Sequence, residues 1–195
     1  MVAGYPATGK TYFCERLTQR YDRLEVLSPD RFREALWDRI GFRSPAEKEA
    51  LVERGWRAYY SALAEAMDRE AAIVSDYPFS AKQHDRLSEL VTAHDYEAVT
   101  IRLTGDLQVL YERSLARDLD PSRNLAHLVN SYQGPASSVD RSKADGLLTW
   151  EIFQSRCLTR GYDSFCLGRL IEVDVTDYSR IDYQAIFATL DDLLR

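Results

Sequence analysis

The sequence predicts an α/β fold in which a mostly parallel sheet is covered by helices. Three observations predict it. Short apolar runs alternate with longer amphipathic runs along the chain, the pattern of strands joined by helical crossovers. A glycine-rich stretch of the form G-x-x-x-x-G-K-[ST] separates the first apolar residues from the first amphipathic run, where a strand would turn into a helix. The length, 195 residues, fits one domain and allows a full core without disulfide staples.

The elements follow in order. Met1-Val2-Ala3 reads as the end of a strand, shorter than the usual five or so residues, which suggests a late start or a truncated chain. After the loop at 4–11, residues 12–20 read as a helix and 24–27 as a short strand. Residues 30–40 read as a helix with Phe32, Leu36, Trp37 and Ile40 on one face. Ser44-Pro45-Ala46-Glu47 is a capping box with proline at the first helical position, so a long helix runs from there to about residue 69. Residues 71–75 form a strand ending at Asp76, and Ser80 caps a helix to about residue 93. A strand at 97–103 and a helix at 106–117 come next. Residues 118–148 hold two prolines, two glycines and weak periodicity, and are expected to form a mobile, partly helical lid. A helix at 148–159, a strand at 170–175 and a helix at 181–194 close a single domain over 1–195.

Composition narrows the function. Hydrophobic residues at 45% and charged residues at 29% exclude wholesale disorder. No apolar run reaches the roughly 20 residues that span a bilayer. The glycine-rich loop occupies the place where a signal peptide would lie. Cys14, Cys157 and Cys166 show no paired spacing, so a reducing, cytoplasmic setting is expected. The net charge of −6 argues against a broad nonspecific grip on nucleic acid. Segment 102–160 is the exception, with a net charge of +1.

Gly4-Tyr5-Pro6-Ala7-Thr8-Gly9-Lys10-Thr11 matches the phosphate-loop pattern at every fixed position. The glycines let the backbone wrap a phosphate with its N–H groups inward, and the following helix adds its positive end. Residues 5–12, from Tyr5 to Tyr12, are therefore expected to bind nucleotide, with Lys10 at the β- and γ-phosphates and Thr11 on Mg²⁺. The expected architecture is a three-layer P-loop NTPase with a five-stranded, mostly parallel sheet and a helical lid.

Three uses of such a loop compete. A switch GTPase needs a guanine-reading [NT]-K-x-D after a buried strand, and Ser142-Lys143-Ala144-Asp145 lacks the first residue and follows a polar stretch. A mechanical ATPase leaves too little room in 195 residues. A kinase has positive support. Asp30 opens a helix just beyond the second strand, where a carboxylate can take a hydroxyl proton, although the same residue type is a favoured N-cap. Arg33 lies one turn along on the same face and could hold an anionic group of the acceptor. Asp76 ends an apolar strand, where an acid meets Mg²⁺ or the acceptor. Arg113 and Arg117 share a helical face before the lid, and Arg123 lies within it. Guanidinium groups there would stabilise charge on the transferring phosphoryl oxygens.

The order of these motifs resembles the polynucleotide-kinase-like P-loop kinases, a group that includes zeta-toxin-type and chloramphenicol-phosphotransferase-type kinases. The resemblance rests on the loop, D-x-x-R at Asp30-Arg31-Phe32-Arg33, Ser75-Asp76, and R-x-x-x-R at Arg113 and Arg117. It implies Asp30 as general base, Arg33 as a reader of an acceptor phosphate, Asp76 near acceptor and metal, and the lid arginines on the donor phosphates. It also places the base of the nucleotide near Thr176-Asp177-Tyr178. Two departures weigh on the acceptor. Gln83 and His84 stand where polynucleotide kinases often carry paired arginines. Trp56, Tyr59 and Tyr60 on the long helix could wall an acceptor pocket or belong to the core. His84, His94 and His127 show no metal spacing and read as surface or structural residues, and Cys14 as a small core residue.

The resulting expectation is an ATP- and Mg²⁺-dependent kinase acting on a hydroxyl. Its catalytic residues would be Lys10, Asp30, Arg117 and Arg113. A small-molecule or nucleotide-like acceptor leads, a 5′-hydroxyl polynucleotide is the alternative, and a nucleotide-binding regulatory protein with little chemistry is the rival from another class.

Overall fold

In a computed structural model the protein is described over residues 1–137 and 139–193. Among the described residues, five strands and seven α-helices follow in the order β1 (Val2–Gly4), α1 (Lys10–Arg20), β2 (Glu25–Val26), α2 (Pro29–Ile40), α3 (Pro45–Asp68), β3 (Ile73–Val74), α4 (Ala81–Ala93), β4 (Val99–Thr104), α5 (Leu107–Leu119), α6 (Trp150–Thr159), β5 (Arg169–Asp174) and α7 (Tyr183–Leu193). The last residue expected in the closing helix, Leu194, and Ser138 within the expected lid lie outside the described residues, as does Arg195.

All ladders are parallel, as helical crossovers require. β4 is central, with Val2 opposite Ile101 on one side and Val99 to Thr104 opposite Arg169 to Asp174 on the other. The single five-stranded sheet expected from the sequence is corrected here. The strands form a ladder of three, β1-β4-β5, and a ladder of two, β2-β3. One isolated bridge between Val2 and Asp76 joins them, through Val2 N to Ser75 O at 2.8 Å and Tyr77 N to Val2 O at 3.2 Å. The reason is local. β3 ends at Val74, and the chain comes beside β1 only past that end, so Asp76 bridges to Val2, the first residue of β1, and no longer ladder forms.

Strand alternation sets the layers. Val2 faces a core with Phe13, Leu17, Leu110, Phe153, Phe187 and Leu190, so α1, α5, α6 and α7 cover one face. Ala3 faces the opposite core with Tyr59, Leu63, Phe79, Leu87 and Leu90, so α3 and α4 cover the other. Tyr59 is fully buried and Trp56 and Tyr60 pack beside it, so these aromatics belong to the core. Cys14 is likewise a core residue. The capping signals act as read. The Ser44 hydroxyl accepts from Glu47 N, and the Gln83 side chain accepts from Ser80 N at 3.1 Å.

Among its described residues, segment 118–148 carries little regular structure beyond the end of α5: two single 3₁₀ turns, Leu125–His127 and Arg141–Lys143. Its apolar side chains Leu125, Leu128, Val129 and Tyr132 are buried against Trp37, Phe42 and Leu51 of α2, α3 and the link between them. Among the described residues no helix is long and apolar enough to cross a membrane.

Candidate active site

The loop between β1 and α1 is built for close backbone approach. A side chain at Gly4, where φ is +110°, would strike Leu103 O, and one at Gly9 (φ +78°) would come 2.9 Å from the Tyr178 hydroxyl. Ala7 also takes a left-handed conformation, φ 62°. These turns wrap the loop around the N-terminus of α1, which begins at Lys10. The Thr8 hydroxyl braces the loop from inside, donating to Tyr5 O at 2.8 Å.

Lys10 is folded into this loop. Its Nζ donates to Tyr5 O at 2.5 Å and lies 3.3 Å from both Gly4 O and Thr8 Oγ1. Burial pushes its pKa down to about 7, Arg117 adds to the shift, and Asp76 opposes it. An ammonium this poorly solvated gains most from an arriving anion. The next residue, Thr11, donates its hydroxyl to Asp76 Oδ2 at 2.8 Å. Two hard oxygen donors thus stand side by side, which suits Mg²⁺. Among the described residues no cluster of three or more His, Cys, Asp or Glu could hold a metal without help. A Mg²⁺ ion here would be completed by phosphate oxygens and water.

Asp30 sits in the first turn of α2. Its Oδ1 is held by the Arg33 guanidinium, which also donates to Tyr77 Oη at 3.2 Å and lies over the rings of Tyr77 and Trp37. Arg33 is therefore committed to the carboxylate beside it, and only its buried Nε lacks a partner. Gly55 of α3 makes this placement possible. A methyl group there would come 2.6 Å from Arg33 Cγ and 3.2 Å from its Cα.

The arginines divide by role. Arg113 donates to the carbonyls of Val175 and Thr176 at 2.6 and 2.8 Å and stacks 4.0 Å over Tyr178. It belongs to the loop after β5, on the side where the nucleotide base was expected. Arg117 pairs with Asp118 at 3.0 Å. Arg123 approaches the same carboxylate at 3.8 Å, and burial together with Arg117 lowers its pKa to about 10.

Two clefts meet at these residues. One of about 480 Å³ is lined by Pro6, Ala7, Gly9, Lys10, Arg113 and Tyr178, and extends to Arg33, Tyr77 and His127. The other, about 1060 Å³, runs between α1, α2 and segment 121–141. Thr11, Asp30, Asp76, Arg117 and Arg123 line both. All four expected catalytic side chains and the expected metal pair thus fall in one connected space. Tyr5, Thr8 and Tyr12 do not line it: the first two brace the loop, and Tyr12 is exposed with its ring edge-on to Tyr183. The sequence reading missed Glu34, Asp38, Tyr77 and the burial of His127. For the two acids the four-residue spacing from Asp30 was the available signal.

Fold and site together define a P-loop, kinase-like nucleotide-binding domain. The chain belongs to the AAA domain family, whose profile matches residues 1–135. No curated protein matches it by sequence. Among solved structures it is similar to a candidate kinase from Chloroflexus aurantiacus (24% identity, TM-score 0.73, 99% of this chain and 93% of that one). It is also similar to a tunicamycin resistance protein from Deinococcus radiodurans (18%, TM-score 0.54, 97% and 92%). A sugar kinase from Janibacter sp. HTCC2649 has the same fold (17%, TM-score 0.50, 97% and 90%). At these identities the likeness is one of fold.

Proposed function

We propose that the protein is a cytoplasmic, Mg²⁺- and ATP-dependent kinase of the polynucleotide-kinase-like group that transfers the γ-phosphoryl group of ATP to a hydroxyl. One observation carries the reading: Asp30 stands where the loop-lined cleft and the larger cleft meet, beside the Thr11–Asp76 pair. A donor in the first cleft and an acceptor in the second would bring their reacting atoms together at this carboxylate.

The roles follow from position. The loop amides and Lys10 hold the donor phosphates. Thr11 and Asp76 are the protein groups for Mg²⁺, which supplies charge neutralisation on the phosphate oxygens when bound. Asp30, held by Arg33 through one oxygen, takes the acceptor's hydroxyl proton on the other. The acceptor oxygen forms the new bond to the γ-phosphorus as the bond from that phosphorus to the bridging oxygen breaks, and ADP leaves with the electron pair. Arg117 and Arg123, which line both clefts, would bring fixed guanidinium charge to the transferring oxygens and stabilise the transition state. Arg113 with Tyr178 bounds the base. The test is transfer of label from γ-labelled ATP in the presence of Mg²⁺, which the Asp30→Asn protein would lack while still binding nucleotide.

A further inference from the structure

The larger cleft has a wall that the phosphoryl chemistry does not explain. Asp30, Glu34 and Asp38 stand four residues apart on one face of α2, and all three line the cleft. Helical rise puts about 6 Å between successive members and about 12 Å from first to last. Each carboxylate is held through one oxygen only. Asp30 Oδ1 is taken by Arg33, Glu34 Oε1 by His127 Nε2 at 2.6 Å, and Asp38 Oδ1 by Asn124 Nδ2 at 3.0 Å and Tyr132 Oη at 2.6 Å. Among the described residues, nothing donates to the second oxygen of any of the three.

An ionised carboxylate accepts hydrogen bonds and cannot donate them. A row of fixed carboxylates with free oxygens therefore matches a ligand rich in donors, hydroxyl or ammonium. Because each group is already held, little side-chain freedom is lost when the ligand arrives. A phosphodiester chain along the same wall would meet three negative charges in succession. The cations opposite do not reverse this. Arg117 and Arg123 also line this cleft but share the Asp118 carboxylate, Arg141 donates to the carbonyls of Asp118, Pro121 and Arg123, and Arg31 stands exposed at the rim.

We propose that the acceptor is a polyhydroxylated small molecule, such as an aminated sugar or cyclitol, lying along Asp30, Glu34 and Asp38 with its reacting hydroxyl at Asp30. This rests on the kinase reading above and names its substrate class.

The experiment uses the full chain with γ-labelled ATP and Mg²⁺. Three probes are compared: a pool of aminated saccharides and aminocyclitols, a matched pool of neutral saccharides, and a 5′-hydroxyl RNA oligonucleotide. Label is expected in a saccharide pool, most strongly the aminated one. Label in the neutral pool alone retains the polyol and removes the amine. Asp38→Asn should raise the KM of the labelled species by about tenfold or more, the loss expected for a hydrogen bond to a charged group, with ATP affinity unchanged. Three results would overturn the proposal: label on RNA alone, no label in either pool while Asp30-dependent ATP hydrolysis persists, or a KM for the labelled species that Asp38→Asn leaves unchanged. Absence of ATP binding or of Asp30-dependent turnover would bring down the kinase reading itself.

Discussion

The Thr11 hydroxyl donates to the Asp76 carboxylate at 2.8 Å, although the two residues are 65 positions apart. The first lies in the first turn of α1 and the second lies two residues beyond β3. The single bridge between Val2 and Asp76 brings them together. The 3+2 division of the sheet is therefore located at the proposed metal site.

Asp76→Asn keeps the hydrogen bond to Thr11 and removes the charge. Mg²⁺-dependent turnover should fall by about 10²-fold, while nucleotide binding without metal should change little. A Mg²⁺ titration of turnover checks this. An unaltered Mg²⁺ requirement would take Asp76 out of the metal site.

Lys10 makes nucleotide affinity depend on pH. Its pKa in the free protein is lowered to about 7, chiefly by burial. Bound polyphosphate favours the charged form and raises that pKa, so binding above pH 7 takes up a proton. ATP affinity should then weaken as pH rises from about 7.5 to 9, by at most roughly tenfold per unit. Calorimetry in two buffers of different ionisation enthalpy measures the proton directly, and zero uptake at pH 8 would contradict the account.

Gly55→Ala should act on the site through direct contact with Arg33. The added methyl meets Arg33 Cγ and Cα, so α2 must move away from α3. The expected cost is about 1–3 kcal/mol of stability, read by denaturant unfolding. Turnover should fall as well, because Asp30 and Arg33 move together, while ATP affinity should hold. Normal stability with full activity would show that the contact between the helices has slack.

Tyr178→Ala removes the ring that stacks on Arg113 and whose hydroxyl fills the space a side chain at Gly9 would need. ATP affinity should drop by about tenfold, the loss of one aromatic stacking surface, with turnover at saturating ATP largely preserved. A fall in saturated turnover at constant affinity would move Tyr178 from base binding to the chemistry.

The phosphate loop was legible in the sequence because its chemistry demands fixed residues at fixed spacing. The placement of Asp30 and Asp76 just beyond strands was legible because parallel sheets present ligands at strand ends. The elements themselves followed from periodicity, with boundaries shifted by a residue or two. Pairings across long separations were not legible. His127 meets Glu34 over 93 positions, and Arg33 meets Tyr77 over 44. Helical spacing placed Arg113 and Arg117 on one face, but only folding shows that the loop after β5 takes up Arg113. Likewise, the strands read at 24–27 and 71–75 gave no hint that the sheet would divide at β1.

The most direct measurement compares the protein with its Asp30→Asn variant for transfer of γ-label to a hydroxyl acceptor, alongside ATP binding. The account predicts near-equal ATP affinity and a loss of transfer of about 10²-fold or more in the variant. Equal transfer by the two proteins would contradict it.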